Sequence, residues 1–316
     1  MTNTALQILA PDANGFRSAA AIMRAGGLVA FGTETVYGLG ADARNDTAVA
    51  GIYAAKGRPS FNPLIVHLPS LAAAEEYCDF NDVARALAGA FWPGALTLVL
   101  PLRADAGISK LVTAGLDTLA VRVPDHAVAQ GFLSEFGGPV AAPSANPSGR
   151  ISPTTADHVI AGLAGKIDAV IDGGPCAVGV ESTIVSCVDA PAILRAGGIP
   201  VEAITACLGR AVAQPDDPDT PQSPGQLASH YAPQGQVRLN AMHVEQGEVL
   251  LGFGAVSARL NLSASGDLTE AAAHLFDYLH QLDAMGATRI AVSPIPDHGL
   301  GRAINDRLKR AAAPRD

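Results

Sequence analysis

The chain has 316 residues, of which 48% are hydrophobic and 16% charged, so it is long enough to bury the core of one large domain or two. Its formal net charge is −9 and both halves are acidic, which argues against a protein that grips nucleic-acid backbones over a large basic surface. No apolar run is long enough to span a membrane, and residues 1–16 lack the pattern of a secretory signal. We therefore expect a cytoplasmic protein that binds no membrane.

The four cysteines form no CxxC pair, which disfavours a zinc knuckle or a dithiol redox site.

The larger part of the chain alternates short apolar runs with helical patterns. Residues 14–26 predict a helix with Asn14 as its N-cap, and the buried strand "LVAF" follows at 28–31. Further strands are predicted at 64–68, 96–100, 118–123, 139–143, 169–174, 182–187 and 192–197. Helices are predicted near 45–55, 80–90, 126–136, 154–164 and 201–209. Because the last three strands follow one another without helices, the pattern predicts an α/β fold with a mixed, twisted sheet rather than a doubly wound one.

A composition change divides the chain. The segment 211–226 is rich in Pro, Asp and Gln and has no periodic apolar face, which is typical of a linker. Beyond it, strands at 247–255 and 289–296 alternate with helices at 267–286 and 299–312. The sequence therefore predicts a large domain over 1–210, a linker over 211–236 and a small Rossmann-like α/β domain over 237–316.

Several common catalytic motifs are missing. There is no Walker A loop and no GxSxG elbow, and the eight histidines have no metal-ligand spacing, so no metal site built by the protein is expected. The segment "GLGADA" (38–43) formally fits a loose dinucleotide fingerprint, but it follows polar residues and lacks a ribose-binding acid downstream.

Polar clusters occur instead at the ends of the predicted strands, where open α/β sheets bind ligands. Four cations lie within or beside apolar runs, where a charge is costly unless it is paired: Lys56, Arg58, Arg122 and Arg195. Either an anionic ligand or internal carboxylates such as Glu34 and Glu181 could pair them. The residues alone favour a phosphate or carboxylate ligand only slightly over internal ion pairs.

Seven segments occur in this order along the chain: "TETVYGLG", "KGRP", "NPLIVH", "WPGALTLVL", "VRVP", "PSANPSG" and "ESTIV". Together they resemble the YrdC-type domain of threonylcarbamoyl-AMP synthases. The segment "SPGQLASHYAP" (223–233) and the small α/β domain after it resemble the long, two-domain form of that family. The resemblance covers nearly the whole chain. It implies a YrdC-like catalytic domain over 1–210 and a linker over 211–236 that closes over a nucleotide.

The resemblance also implies a reaction. L-threonine, bicarbonate and ATP, with Mg²⁺ accompanying the triphosphate, would give threonylcarbamoyl-AMP and pyrophosphate. A separate tRNA threonylcarbamoyl transferase complex would then modify adenosine 37 of tRNAs. Joining a threonine carbamate to a triphosphate requires that two anions be neutralised and aligned, which arginines, a lysine and hydroxyls can do without a nucleophilic side chain.

The family's functional positions carry over to thirteen residues. Those implied for threonine are Thr35, His67, Arg122 and Ser182. The planar guanidinium of Arg122 suits the threonine carboxylate. Those implied for ATP are Arg58, Asn62, Thr118, Ala142, Ser144, Ser152, Arg195 and Tyr231. Lys56 and Arg58 are the expected catalytic cations, and Lys56 would favour phosphate or the carbamate, or pair with Glu34.

Two positions depart from the family pattern. Gly32 stands where proline is expected, which should loosen the loop that carries Thr35. Residues 226–229 lack the basic residues that many relatives carry there, which puts the phosphate contacts of the linker in question.

Two other functions remain as alternatives at this stage. One is a module that binds double-stranded RNA or tRNA without catalysis, although the acidic charge counts against tight binding. The other is a transferase that uses carbamoyl phosphate, although the acylphosphatase and zinc-finger segments of such proteins are not visible. No catalytic constellation occurs in 240–316, so we expect the small domain to support the catalytic one; a weak direct contact with tRNA stays open.

Overall fold

The computed structural model describes residues 6–213 and 230–314. Within them, none of the helices combines the length and the apolar character needed to cross a membrane. The predicted linker falls mostly on 214–229 and so lies largely outside the described residues.

The chain forms two α/β units, each with its own sheet. We call the first the larger unit; its strands are β1 Gln7–Leu9, β2 Val29–Phe31, β3 Gly38–Asp42, β4 Ile65–His67, β5 Leu96–Pro101, β6 Thr118–Arg122, β7 Val140–Ala141, β8 Ala169–Ile171, β9 Thr183–Ser186 and β10 Ala192–Arg195. Its helices are α1 Ala13–Arg24, α2 Asp46–Lys56, α3 Leu71–Glu75, α4 Asp82–Phe91, α5 Lys110–Thr113, α6 Ala127–Phe136, α7 Ala156–Leu163 and α8 Val201–Leu208.

The sheet of the larger unit is mixed, which confirms the fold class predicted from the sequence. Its strand order is β1-β8-β2-β3-β7-β4-β6-β5-β9-β10. Strands β4 and β6 are parallel, whereas β7 and β5 flank them in the antiparallel direction. The pairing of β4 with β6 brings together two strands that are separated in the sequence by β5 and three helices.

The central strands are buried on both faces. In β4, Val66 packs into the main hydrophobic core, while Ile65 belongs to a small cluster on the opposite face. Because successive side chains of a strand alternate between faces, His67 shares the face of Ile65. This second face carries the site described below.

The predicted helices of the larger unit are present, with one correction at the first. Asp12, and not Asn14, is the N-cap of α1, and its carboxylate accepts hydrogen bonds from the amides of Asn14 and Gly15. A carboxylate two residues earlier satisfies two free amides of the first turn and also suits the positive end of the helix dipole.

The segment "GLGADA" is a strand and not a phosphate-binding turn. Residues Gly38–Asp42 form β3, which runs antiparallel to β2. A dinucleotide fingerprint needs a tight turn from a strand into a helix, so this geometry excludes that interpretation. The glycines serve packing, since a Cβ at Gly40 would lie 3.0 Å from atoms of Met23, Phe31 and Val140.

We call the second α/β unit the smaller unit. Its elements are β11 Gln236–Arg238, β12 Val249–Gly252, β13 Leu260–Asn261, α9 Leu268–Ala284, β14 Arg289–Val292 and α10 Gly301–Ala312. The four strands are all parallel in the order β11-β14-β12-β13. The Rossmann-like α/β arrangement predicted for this region is therefore present. Its core is continuous with the larger unit, because Val36, Ile151 and Val180 pack into it.

Candidate active site

A cavity that opens to solvent lies on the second face of the larger sheet, beside the C-terminal ends of β4 and β6 and the start of β9. Its empty space, counted together with the adjoining solvent, is about 530 Å³. Nine of the thirteen predicted residues line it: Thr35, Arg58, His67, Arg122, Ala142, Ser144, Ser182, Arg195 and Tyr231. Segments far apart in the sequence therefore meet at one place, as expected for strand ends of an α/β sheet.

Arg122 and His67 lie side by side because β4 and β6 pair in parallel with these residues in register. Two nitrogens of the Arg122 guanidinium donate hydrogen bonds, and the third lies within ion-pair distance of a carboxylate. Nη1 donates to Thr35 Oγ1 at 2.9 Å, Nε donates to the Gly94 carbonyl at 3.2 Å, and Nη2 lies 2.7 Å from Glu34 Oε1. The internal ion pair weighed from the sequence thus exists for Arg122, with Glu34 as its partner.

His67 is a neutral imidazole at neutral pH. Burial, followed by the neighbouring charge of Arg122, lowers the pKa of His67 to about 3. Within residues 6–213 and 230–314, its Nδ1 has no hydrogen-bond partner. A neutral ring with a free nitrogen can exchange a hydrogen bond with a ligand without adding charge to the site.

Ser182 and Arg195 form a second pair beside the threonine positions. The hydroxyls of Ser182 and Thr97 are 2.7 Å apart, and Arg195 donates through Nη2 to the Ser182 carbonyl at 2.9 Å. Arg195 ends β10, next to β9, and a register shift between Ile193 and Arg195 turns the strand there. Burial lowers the pKa of Arg195.

Arg58 supplies positive charge that no carboxylate neutralises. Its Nε donates to the Asn62 carbonyl at 3.3 Å and its Nη2 to the Pro63 carbonyl at 3.0 Å, and both acceptors are neutral. In the described parts of the chain, no carboxylate lies within ion-pair distance of Arg58. Burial, with a smaller contribution from Arg195, lowers the pKa of Arg58 to about 10. An anion in the cavity would relieve this cost.

Lys56 and Asn62 lie behind the cavity wall. Lys56 ends α2, and its ammonium donates to the Ser144 carbonyl at 2.6 Å and to the Asn146 carbonyl. Glu34 is paired with Arg122 instead, so Lys56 holds the loop that carries Ser144. Asn62 is fully buried, and its side-chain amide has no hydrogen-bond partner among the described residues. An unpartnered buried amide is costly, so this group needs a partner that the described residues do not supply.

Thr118 and Ser152 are the other two predicted residues that do not line the cavity. Thr118 begins β6 while Arg122 ends it, so at about 3.3 Å per residue the two are ~13 Å apart. Ser152 is fully buried and donates to Glu181 Oε1 at 2.6 Å.

The structure adds two residues to which the sequence analysis assigned no binding role. Glu181 lines the cavity, and Arg307 of α10 contacts its other carboxylate oxygen at 2.9 Å. Arg307 occupies the apolar face of α10 together with Ile304 and Leu308, and all three are buried. A lone arginine within an apolar helical stripe is the signal that could have identified it, because a buried charge needs a partner.

Tyr231 closes one side of the cavity. It is almost fully buried, adopts a positive φ of 61°, and stacks on Phe276 with ring centroids 5.5 Å apart. The Arg307 guanidinium lies 5.5 Å from the tyrosine ring. The preceding residue, His230, also lines the cavity, and burial lowers its pKa to about 3.

The described residues offer no cluster of three or more His, Cys, Asp or Glu side chains that could hold a metal ion. The one carboxylate that lines the cavity, Glu181, is already bound to Arg307 and Ser152. The lining of the cavity therefore does not fit a metal cage built by protein ligands.

Two family models match the chain. Residues 21–197 match the model Sua5_yciO_yrdC, described as "Telomere recombination". Residues 199–313 match the model "Threonylcarbamoyl-AMP synthase, C-terminal domain". The two matches together span both units.

Curated relatives are similar over nearly the full length. The threonylcarbamoyl-AMP synthase of Bacillus subtilis is 44% identical, covering 94% of this chain and 92% of the relative. The threonylcarbamoyl-AMP synthase of Pyrococcus abyssi is 40% identical, covering 94% of this chain and 93% of the relative.

Solved structures of similar proteins share the fold of this chain. The crystal structure of Pyrococcus abyssi Sua5 complexed with L-threonine matches with a TM-score of 0.89 and 37% identity, covering 98% of each chain. The crystal structure of Escherichia coli YciO matches with a TM-score of 0.55 and 22% identity over 61% of this chain, which shows a shared fold for the larger unit.

Proposed function

The chain belongs to the threonylcarbamoyl-AMP synthase family, and we propose that it forms threonylcarbamoyl-AMP and pyrophosphate from L-threonine, bicarbonate and ATP. The proposal rests on the residues that line the cavity beside β4, β6 and β9. Arg122, His67 and Thr35 form one side of it, while Arg58 and Arg195 bring positive charge to another. The positive charges of this lining suit anionic substrates.

The threonine side offers a partner for each polar group of an amino acid. The Arg122 fork suits a carboxylate, and the hydroxyls of Thr35 and Ser182 can bond the threonine hydroxyl or amine. The relative solved with L-threonine, at 37% identity over 98% of this chain, supports threonine as the substrate. Because Glu34 already contacts Nη2 of Arg122, an incoming carboxylate would share the guanidinium with it or displace it.

The ATP side offers charge without a nucleophile. Arg58 and Arg195 would contact phosphate oxygens, with the Ser144 hydroxyl and the backbone at Ala142 beside them. Tyr231 lines the cavity and could contact the base or the ribose. We propose that Mg²⁺ arrives with the ATP phosphates, because phosphate oxygens and water are its usual ligands.

The structure of the product defines which bonds form and which break in the proposed reaction. The threonine nitrogen forms a bond to the carbon of bicarbonate, and water leaves, giving a carbamate. A carbamate oxygen then forms a bond to the α-phosphorus of ATP, and the bond from that phosphorus to pyrophosphate breaks. The side chains here align the reactants and neutralise charge, which is the main requirement of phosphoryl-group chemistry. Arg58 lies where it could stabilise the developing negative charge.

Labelled bicarbonate provides the test. The full-length protein is supplied with ATP, L-threonine and ¹³C-bicarbonate, and mass spectrometry looks for labelled threonylcarbamoyl-AMP while pyrophosphate release is followed. The expected result is a labelled adduct that needs all three substrates. AMP formed without threonine, or tRNA binding with a steep salt dependence and no use of ATP, would refute the proposal.

The product is a reactive mixed anhydride, so a second enzyme must consume it. We propose that a tRNA threonylcarbamoyl transferase complex accepts it in the cytoplasm, where ATP and tRNA are both present. The family membership supports this synthase over the RNA-binding alternative.

A further inference from the structure

The smaller unit fixes the backbone at several points of the cavity. Three apolar residues of the larger unit belong to its core: Val36, Ile151 and Val180. They directly adjoin Thr35, Ser152 and Glu181. Packing against the smaller unit therefore helps to fix the positions of these three polar residues.

Arg307 adds a charged contact between the smaller unit and the cavity. It is fully buried in α10, and its Nε donates to Glu181 Oε2 at 2.9 Å while its Nη1 donates to the Ala196 carbonyl at 2.6 Å. The second oxygen of Glu181 accepts the Ser152 hydroxyl at 2.6 Å. A single carboxylate thus joins the smaller unit to a predicted ATP residue.

The contacts of Arg307 point to the nucleotide side of the cavity. The guanidinium lies over the Tyr231 ring, and the Ala196 carbonyl directly follows Arg195. Through Glu181 it also reaches Ser152. These are three of the positions expected to bind ATP. Among the described residues, the hydrogen bonds, ion pairs and ring contact of Arg307 involve none of the four residues expected to bind threonine, although Ser182 adjoins Glu181.

Glu181 and Arg307 both stay charged at neutral pH. Burial pushes the pKa of Glu181 upward, but Arg307 and Arg195 outweigh burial, so the pKa lies below its ordinary value. The carboxylate therefore stays charged and accepts from Ser152 and Arg307 together. A buried pair of this kind contributes geometry more than net stability, because the desolvation of both ions offsets most of their attraction.

We propose that Arg307 is a positioning residue for ATP: by holding Glu181, it orients the Ser152 hydroxyl and the Tyr231 ring on the nucleotide side of the cavity. The proposal rests on the proposed function for the identity of the nucleotide. It also gives the smaller unit a role in the reaction without placing any reacting group on it.

The test compares Arg307→Met with Arg302→Met in the full-length protein. Arg302 lies on the same helix and also reaches the larger unit, but through an ion pair to Glu202 at the surface, 3.3 Å long. Calorimetry measures the binding of a non-hydrolysable ATP analogue and, separately, of L-threonine. We expect Arg307→Met to weaken analogue binding by about tenfold, which corresponds to about 1.4 kcal/mol, and to change threonine binding less than twofold.

Steady-state rates add a second readout. For Arg307→Met, the KM for ATP should rise with kcat less affected, whereas Arg302→Met should match wild type. Arg307→Lys keeps the charge but loses the planar fork, so it should restore part of the affinity for the analogue.

A double-mutant cycle tests whether Arg307 acts through Glu181. In the background of Glu181→Gln, Arg307→Met should cause no further loss of analogue binding, and this double variant removes both members of the ion pair, so neither is left buried without the other. It therefore decides the question even if Arg307→Met alone does not fold. A further loss in the double variant, unchanged analogue binding in Arg307→Met, or equal losses for both ligands would overturn the proposal.

The proposed function and the positioning role of Arg307 can be told apart by these experiments. If the wild type binds the analogue and the cycle behaves as expected, but no labelled adduct forms, the positioning role stands and the proposed function fails. If the wild type binds no ATP analogue, both fail.

Discussion

Replacing Arg58 with methionine should separate ATP binding from folding stability. The side chain is buried, and its guanidinium donates to two neutral carbonyls, those of Asn62 and Pro63. The volume of methionine largely fills the same space. The substitution therefore removes a charge without leaving a large hole.

The magnitudes follow from the surroundings of the charge. Burial lowers the pKa of Arg58 to about 10, and the difference from the ordinary value corresponds to roughly 3 kcal/mol of cost for the charged form. At pH 7 the group is charged in both the folded and the unfolded state, so the whole cost is present. Against this, two hydrogen bonds to a charged donor are lost, at about 1.5 kcal/mol each. The two effects nearly cancel, and the free energy of unfolding should change by less than about 1 kcal/mol.

Binding of ATP should respond very differently. A charge-assisted hydrogen bond to phosphate contributes ~1.5–3 kcal/mol, so the affinity should fall roughly 10- to 150-fold. Urea unfolding measures the stability, and calorimetry with a non-hydrolysable ATP analogue measures the affinity. Arg17→Met on the exposed face of α1 is the control for the substitution itself.

Two results would refute this reasoning. Analogue binding within threefold of wild type would mean that Arg58 does not contact the nucleotide. A loss of several kcal/mol of stability would mean that the carbonyl contacts of Arg58 outweigh the cost of its burial.

Three further predictions concern threonine, pH and the contact between units. Arg122→Met should abolish threonine binding and, unlike Arg58→Met, destabilise the fold by about 3–5 kcal/mol, because it leaves Glu34 buried without its ion-pair partner. Lowering the pH from 7 to 5 should destabilise the protein, because buried histidines stay neutral in the folded state down to their depressed pKa values, whereas the unfolded chain takes up protons below about 6.5. The histidines whose pKa burial lowers to about 3 or 4 are His67, His230 and His280. Each should contribute up to ~2 kcal/mol at pH 5. Gly179→Ala should destabilise by more than ~2 kcal/mol, because φ is +74° and the new Cβ would lie 2.3 Å from a carbonyl of α9.

Each of these has its own measurement. Threonine calorimetry and urea unfolding together check Arg122→Met, and an unchanged threonine affinity would contradict the assignment. Urea unfolding at pH 7 and pH 5 checks the histidines, and equal unfolding free energies would show that they titrate normally. Gly165→Ala is the control for Gly179→Ala, because Gly165 also has a positive φ but open space around its Cβ position. Equal effects of the two substitutions would mean that the backbone near α9 moves to make room for the new Cβ without a further loss of stability.

Most of the fold could be predicted from apolar runs and their boundaries. The strands at 65–67, 96–101 and 118–122 coincide with runs of branched and apolar residues, and the break at 211–226 was visible in composition. The strand β3 was missed because glycines and polar neighbours hide it, and its burial comes from distant segments. The N-cap at Asp12 was missed because two capping residues lie two positions apart, and only the backbone geometry selects one.

The sequence by itself determined most strands of the larger unit, the mixed sheet and, through seven motifs in order, the family and the kinds of side chain at the site. Only the tertiary structure decided what each buried charge contacts. Arg122 pairs with Glu34 of a segment that is distant in the sequence, Lys56 donates to carbonyls of a loop, and Glu181 binds Arg307, 126 positions away. Apolar periodicity and turn residues act over a few neighbours and so can be read from a sequence. The partner of a buried charge depends on how distant elements pack, because any group of opposite charge that packing brings within about 3 Å can meet the same need.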